Sequence, residues 1–439
     1  MRDTLDMITE TKIPDRKLVV SDMAENLIGS EIIKLASEIT ERIKKGEQVY
    51  NYTIGDFNPE IFPIPDKLKD LIIKAYKNDE TNYPPSNGVG KLRRSIAEFH
   101  RKRQGLDYSE NEVLVSGGAR PLIYATYQTI LDPGDAVIFP VPSWNNNHYC
   151  HLSKAHPIFV ETTAENNFMP SASQLEPFIK DASLLALCSP LNPTGTVLSK
   201  NNLTEICDLV VEENRRRNNS DKPLYILYDQ IYWMLTFGET VHHDPVRINP
   251  FLKNYTIFID GISKSFAATG IRVGWAMGPL KVINKMKAIL SHIGAWSPRA
   301  EQIATAEFMK LDEEVDKYLR TFSYEIGQRL EDFYAGFLEL KAEGYNVDAI
   351  SPQAAIYLTV KINLNGMQTP EGRTLENPRD TSAYLLDEAK LALVPFSSFG
   401  SSDQSTWYRL AVGTCAKEEI KDVFNLLRKA LSRLKPVTV

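Results

Sequence analysis

Cysteine is scarce: Cys150, Cys188, Cys207 and Cys415 are the four in 439 residues. None forms a close pair, which excludes a CxxC redox motif and a zinc knuckle and predicts a reducing compartment. No apolar run approaches the roughly 18 residues of a membrane helix. The polar start MRDTLDMITETKIPDRK carries acids and no apolar core, so no secretory leader is expected. Neither sign of charge dominates: the formal net charge is −6, with acids and bases interleaved. No basic stripe with interleaved aromatics is present, so nucleic acid is not an expected partner, and neither is a membrane. Arg215 to Arg217, followed by NNSDK, read as a solvated loop or helix end. The seven histidines include no HExxH, and His242-His243 read as loop. There is no GxSxG nucleophile elbow. NGVGKLR fails as a nucleotide loop, because Pro85 stands where the first glycine is required and Leu92 where Ser or Thr is required. A cytoplasmic protein is predicted.

What is present is ordinary in bulk: 43% apolar and 24% charged residues, in a chain long enough for two domains or three. Seven stretches read as strands: NEVLVSGG, DAVIFPVP, AHPIFVE, SLLALCSP, PLYILYD, YTIFIDG and GWAMGP. Several are apolar throughout, as strands buried on both faces are. Amphipathic stretches such as PLIYATYQTIL and NNLTEICDLVVEENRRR lie between them. The alternation predicts an α/β fold, with a mostly parallel seven-stranded sheet covered by helices.

The ends differ. From about Pro298 to Gly344 the pattern is almost continuously helical, long enough to cross between domains. AIYLTVKI, a helix in TSAYLLDEAKLA, LVPFSSFG, WYRLAVGT and a terminal helix follow. A helix near Glu31 to Lys45 and the strand VYNYTIG belong with them. The predicted division is a large domain over 60–325 and a smaller α+β domain built from both chain ends, 20–59 and 326–439.

Ligands of open α/β sheets bind at the carboxyl ends of strands. After EVLVS comes GGARP and a helix. Its glycines let backbone N–H groups reach an anion, and equally suit a tight turn. After DAVIFPVP comes Trp144, a plate for a flat ring or a core residue. After LLALCSP comes Asn192, with an amide free to donate. After PLYILY come Asp229, costly if buried without a cation, and Tyr232. After YTIFID come Lys264 and then Arg272. Taken together, these groups match a phosphorylated, cationic, aromatic aldehyde. A lysine amine condenses with such an aldehyde, a carboxylate keeps its ring nitrogen protonated, and an arginine fork holds its phosphate.

SKSFAATGIRVGW, NPTG, YDQIY, YPPSNGVGKLR and YRLAVGT fall in one order from about Tyr50 to the C-terminus. In this the chain resembles the fold-type I pyridoxal-phosphate-dependent aminotransferases, class I/II, of aspartate-aminotransferase type. The resemblance implies a transaminase with pyridoxal 5'-phosphate, an L-amino acid and a 2-oxo acid. Lys264 matches the lysine that carries the cofactor and moves the α-proton. Asp229 matches the acid at the ring nitrogen, and Tyr232 and Asn192 the partners of the phenolic oxygen. Trp144 matches the stacking aromatic. Gly118, Ala119 and Arg120 match the phosphate loop, and Arg272 the phosphate arginine. Tyr83 matches a tyrosine that reaches the neighbouring subunit's phosphate, which implies a homodimer. Arg409 matches the arginine that binds the substrate α-carboxylate, and Gly55 lies where a backbone group lines that site. To act as a base, Lys264 must be held far below the usual lysine pKa of about 10.4.

One position departs from the pattern. Gly261 stands where many relatives carry a phosphate-binding serine, a loss of about 1 kcal/mol unless Ser116, Arg120 or Ser263 compensates. RRRNNSDK lengthens the Asn192-to-Asp229 connection and reads as a surface loop. The same scaffold also supports carbon–sulfur β-elimination, decarboxylation, or a ligand-sensing domain without catalysis. His292, Trp296 and Arg299, in LSHIGAWSPRAEQ, are candidates for reading a substrate side chain. Asn145, Asn146, Asn147 and His148 line an entrance or cap a helix.

Overall fold

The computed structural model describes residues 19–27, 31–218 and 221–437. The polar N-terminal start and positions 219–220 of the lengthened connection lie outside the described residues. All seven expected strands form one sheet: β1 (Val113–Ser116), β2 (Ala136–Val141), β3 (His156–Glu161), β4 (Ala182–Cys188), β5 (Tyr225–Asp229), β6 (Thr256–Gly261) and β7 (Gly274–Met277). Their order is β1-β7-β6-β5-β4-β2-β3. Only β7 runs against its neighbours; the other pairings are parallel.

The strands read as apolar runs because successive side chains enter two different cores. Leu185, Leu187, Ile226, Tyr228 and Phe258 point into one, beneath the helices Gly90–Gln104, Lys200–Arg217 and Arg299–Phe308. Leu184, Ala186, Leu227, Ile257 and Ile259 point into the other, beneath Ala119–Ile130 and Leu280–Ile293. This alternation puts Asp229 on the face of Leu227 and Asp260 on the face of Phe258. Asp260 is accordingly buried on the far side, with Trp233 Nε1 donating to it at 2.7 Å.

A second sheet comes from the C-terminal part: β8 (Val347–Ala349), β9 (Tyr357–Ile362), β10 (Val394–Pro395) and β11 (Trp407–Ala411), in the antiparallel order β10-β11-β9-β8. Tyr50–Asn51 pairs in parallel with Leu391–Ala392, and Ile39 of the helix Glu31–Lys44 packs on Leu386 and Ala392. The N-terminal end therefore does join the C-terminal body. The long helical pattern is interrupted at 309–311 and continues as Asp312–Ala342, 31 residues and about 46 Å. Three acids open its first turn, where they favour a helix N-terminus. Its Val315 belongs to the large core. Phe322, Ile326, Leu330, Phe333, Phe337 and Leu340, spaced three and four apart, belong to the small one.

RRRNNSDK corrects one expectation. The three arginines close the helix Lys200–Arg217, the helix end that the sequence allowed, but Arg217 is buried and belongs to no surface loop. Its Nε donates to Glu213 Oε1 at 2.6 Å, and its Nη atoms donate at 2.8 Å to the carbonyls of Ile179, Ala182 and Lys222. It thereby clamps the helix end to the start of β4. Arg217→Met leaves the Glu213 carboxylate buried with less compensation, and a loss of about 3 kcal/mol is expected. A urea unfolding midpoint unchanged from wild type would contradict this clamp.

Candidate active site

A cavity of about 630 Å³ opens at the carboxyl ends of β4, β5 and β6. Its wall includes Gly55, Ala119, Arg120, Trp144, Asn192, Asp229, Tyr232, Ser263, Lys264, Arg272 and Arg409. Of the residues singled out from sequence, Gly118 is not part of this wall but packs against Arg272, which is. Tyr83 is elsewhere: its ring is 81% exposed and meets Trp296 edge-on at 5.3 Å.

Lys264 rises from the short helix Ile262–Ser265 that ends β6. Its Nζ donates to the Gly55 carbonyl at 2.5 Å. Crowding by protein atoms pulls its pKa down to about 8, with Arg409, Arg120 and Arg272 pushing the same way and Asp56 opposing them. Asp229, at the end of β5, is pushed up to about 6 by the same crowding, although the Ile231 N–H donates to its Oδ1 at 3.1 Å. It is in register with Cys188 and Ile259, which centres it in the sheet.

The anion-binding end follows from backbone geometry. The helix Ala119–Ile130 starts after Gly118, which offers no side-chain cap. First-turn N–H groups so exposed attract anions. Arg272 reaches the same loop, donating to Gly117 O at 2.7 Å and Thr269 O at 2.8 Å. A Cβ on Gly118 would lie 2.1 Å from Arg272 Nη2, and one on Gly274 would lie 2.6 Å from Gly118 C. Glycine at both places is what lets the loop, the strand and the guanidinium meet. Gly261 has a similar reason: a Cβ there would stand 2.8 Å from Val273 O, so a serine does not fit this backbone. Ser116, one expected substitute, donates to Ala295 O at 2.6 Å and lines no part of the cavity, whereas Ser263 and Arg120 do.

Arg409 lies on β11 and is 1% exposed. Nη2 donates to Thr53 O at 2.6 Å and Nη1 to Asn192 Oδ1 at 2.9 Å, while Nε has no partner. Among the described residues no carboxylate forms an ion pair with it. A buried guanidinium without a counter-charge is costly and calls for an anionic ligand. Two cations approach the Trp144 ring, with Arg120 Cζ 5.2 Å and Arg409 Cζ 6.0 Å from its centroid. Asn146 lines the wall and accepts from Tyr127 Oη at 2.9 Å, while Asn145 precedes the helix Asn146–Ser153. Of the polar run, Asn146 alone lines the wall, and Asn145 takes the N-cap position without a side-chain capping bond. His292, Trp296 and Arg299 do not line this chain's cavity, and Arg299 pairs with Glu80 at 2.6 Å.

Sequence reasoning missed Tyr357, Asp56 and Thr53. Tyr357 is buried in the wall with its hydroxyl 2.7 Å from that of Tyr232. Asp56 accepts from Thr269 Oγ1 at 2.7 Å. Tyr357 had no signal of its own, being one aromatic in a strand that is buried nearly throughout. Asp56 adjoins Gly55, the one hint available.

A buried lysine that shares one cavity with a carboxyl, an arginine and an uncapped helix N-terminus is the arrangement that an enzyme binding a phosphorylated aldehyde through an amine requires. Comparison with known proteins narrows the class. The model for aminotransferase class I and II matches residues 49–427. An aspartate aminotransferase of Geobacillus stearothermophilus is 32% identical over 375 residues, 83% of this chain and 88% of the relative. A probable aspartate/prephenate aminotransferase of Rickettsia prowazekii is 29% identical, covering 91% of this chain and 96% of the relative. The crystal structure of the Rhizobium meliloti aspartate aminotransferase superposes with a TM-score of 0.86 at 25% identity, over 95% of this chain and all of that one. That of Thermus thermophilus with maleate gives 0.83 at 25% identity, over 94% of this chain and all of that one.

The chain belongs to the class I and II aminotransferases and is a pyridoxal-phosphate-dependent transaminase. The residues present fit that cofactor: Gly118 and Gly274 leave the cradle open, Arg272 and the helix N-terminus converge on it, and Lys264 and Asp229 share its cavity. Since burial favours the neutral amine, Lys264 of cofactor-free protein should become reactive as pH rises through about 8. Trinitrophenylation followed by peptide mass analysis measures this. A midpoint near the ordinary lysine value would show that the amine is not perturbed. Gly118→Ala should displace Arg272 and weaken pyridoxal phosphate binding by about tenfold or more, the scale of an overpacking cost, as read by equilibrium titration of the cofactor-free protein.

Proposed function

We propose that this transaminase uses a dicarboxylic L-amino acid, aspartate first, as its amino donor. The observation that carries this reading is a second cation in the cavity wall: Arg120 lines it together with the buried Arg409, whose Nε has no partner. Arg409 serves the substrate α-carboxylate, as the sequence resemblance implied. Arg120, whose Cζ lies 5.2 Å from the Trp144 centroid, offers its guanidinium to a second carboxylate, while its backbone N–H stays with Gly118 and Ala119 at the phosphate. Support comes from the relatives named aspartate aminotransferase, and from the structural relative solved with maleate, itself a dicarboxylate.

In this reading, bound pyridoxal phosphate supplies an electron sink that acidifies the amino acid's Cα–H. Lys264 Nζ takes that proton and later returns it; its lowered pKa leaves the amine available near neutral pH. Asp229 would hold the proton on the ring nitrogen. Tyr232 and Asn192 would serve the ring oxygen, Trp144 would cover the ring, and Arg272 with Ser263 and the Gly118–Arg120 backbone would hold the phosphate. Arg409 and the backbone at Gly55 fix the substrate carboxylate.

A homodimer is part of the proposal. Tyr83 is 81% exposed and serves no part of its own chain's cavity, which supports a role in a neighbour's. A cytoplasmic address, the domain division at 60–325 against both ends, and a place in amino-acid metabolism belong to the same reading. Among the described residues no helix is long and apolar enough to cross a membrane.

The deciding experiment follows the visible band of the holoenzyme while single amino acids are added. Aspartate or glutamate should bleach it, and aromatic or aliphatic amino acids should do so at least tenfold less efficiently. Arg120→Leu should erase that preference while leaving the band itself, and Lys264→Ala should abolish turnover. Equal bleaching by alanine or phenylalanine would discard the dicarboxylate assignment. Ammonia released without a 2-oxo acid would point to β-elimination.

A further inference from the structure

Tyr357, the first residue of β9, is 2% exposed and touches three groups of the site. Its hydroxyl lies 2.7 Å from the Tyr232 hydroxyl. Its ring lies beneath Arg409, with Cζ 4.7 Å from the centroid. Its hydroxyl also fills the space beside Gly55, where a Cβ would come within 2.6 Å. The Gly55 carbonyl is the acceptor for Lys264 Nζ. The strand itself is pinned: Tyr357 is in register with Ala411, and Thr359 with Arg409. Thr359 Oγ1 donates to Thr194 O at 2.8 Å, tying β9 to the loop that carries Asn192.

We infer that Tyr357 is a positioning residue that couples the cofactor's phenolic side to the substrate carboxylate site. It does so by donating to Tyr232 Oη and by supporting the Arg409 guanidinium from below. This rests on the roles assigned above to Tyr232 and Arg409. Each phenol has one proton. Once Tyr232 donates its proton to the ring oxygen, the short contact with Tyr357 is filled by the Tyr357 proton. A hydroxyl that accepts one hydrogen bond is a better donor in the next, so Tyr357 strengthens a contact it never makes itself. Its ring meanwhile gives a buried cation an electron-rich face. The two effects belong to different atoms of one side chain and are separable.

The test compares Tyr357→Phe, Tyr357→Leu and Tyr232→Phe as holoenzymes. The readouts are the pH midpoint of the visible absorption band, kcat, and KM for the amino donor. Tyr357→Phe removes only the hydroxyl. It should move the midpoint in the same direction as Tyr232→Phe but less far, lower kcat about threefold to tenfold, and leave KM within about twofold. Tyr357→Leu also removes the ring and should raise KM by about tenfold. If Tyr357→Phe leaves the midpoint at the wild-type value while Tyr232→Phe moves it, the coupling is absent and Tyr357 is only packing. If Tyr232→Phe moves nothing, the role given to Tyr232 fails instead. Should Tyr357→Leu not fold, Tyr357→Phe still decides the hydroxyl, and Arg409→Lys with intact Tyr357 reports the carboxylate site.

Discussion

Four cationic side chains share one cavity wall, Lys264, Arg120, Arg272 and Arg409, against two carboxyls, Asp56 and Asp229. Much of the site follows from that imbalance. Burial first, and then repulsion from the arginines, disfavour the protonated lysine, so its amine loses its proton near pH 8. The same excess of positive charge makes the cavity a receptor for anions, and the cofactor phosphate and the substrate carboxylates are anions. An arrangement costly in the empty protein becomes favourable once those charges arrive, because each buried cation then gains a partner.

Holding such charges requires walls that cannot yield. Arg409 comes from β11, Lys264 follows β6, and the Thr53 carbonyl that fixes Arg409 comes from the N-terminal part of the chain. The helix Asp312–Ala342 ties the two bodies by placing Val315 in one core and its later aromatics in the other. The cavity thus sits at the seam between two separately packed cores. Each core fixes its own contribution by many small contacts, and the polar groups of the cavity gather at the seam.

The sheet was legible from sequence because strands buried on both faces are written as short apolar runs, and all seven formed. So was the rim: Asp229, Lys264 and Asn192 each follow such a run directly. Tyr83 lies outside this chain's cavity, as its match to a tyrosine serving a neighbouring subunit implied. Arg217 was misjudged. Three arginines in a row look alike in sequence, and only the packing of the helix end against β4 buries the third.

What the sequence alone determined was chemistry with a local cause: strand ends, glycine at the cradle, a lysine among small residues. Periodicity and backbone sterics act over a few residues and so leave a local trace. The tertiary structure alone decided the pairings across hundreds of positions: Tyr232 with Tyr357, Arg409 with Thr53, Lys264 with Gly55. It also decided the charge of Lys264, because desolvation and repulsion depend on distance through space, and the residues responsible are dispersed along the whole chain.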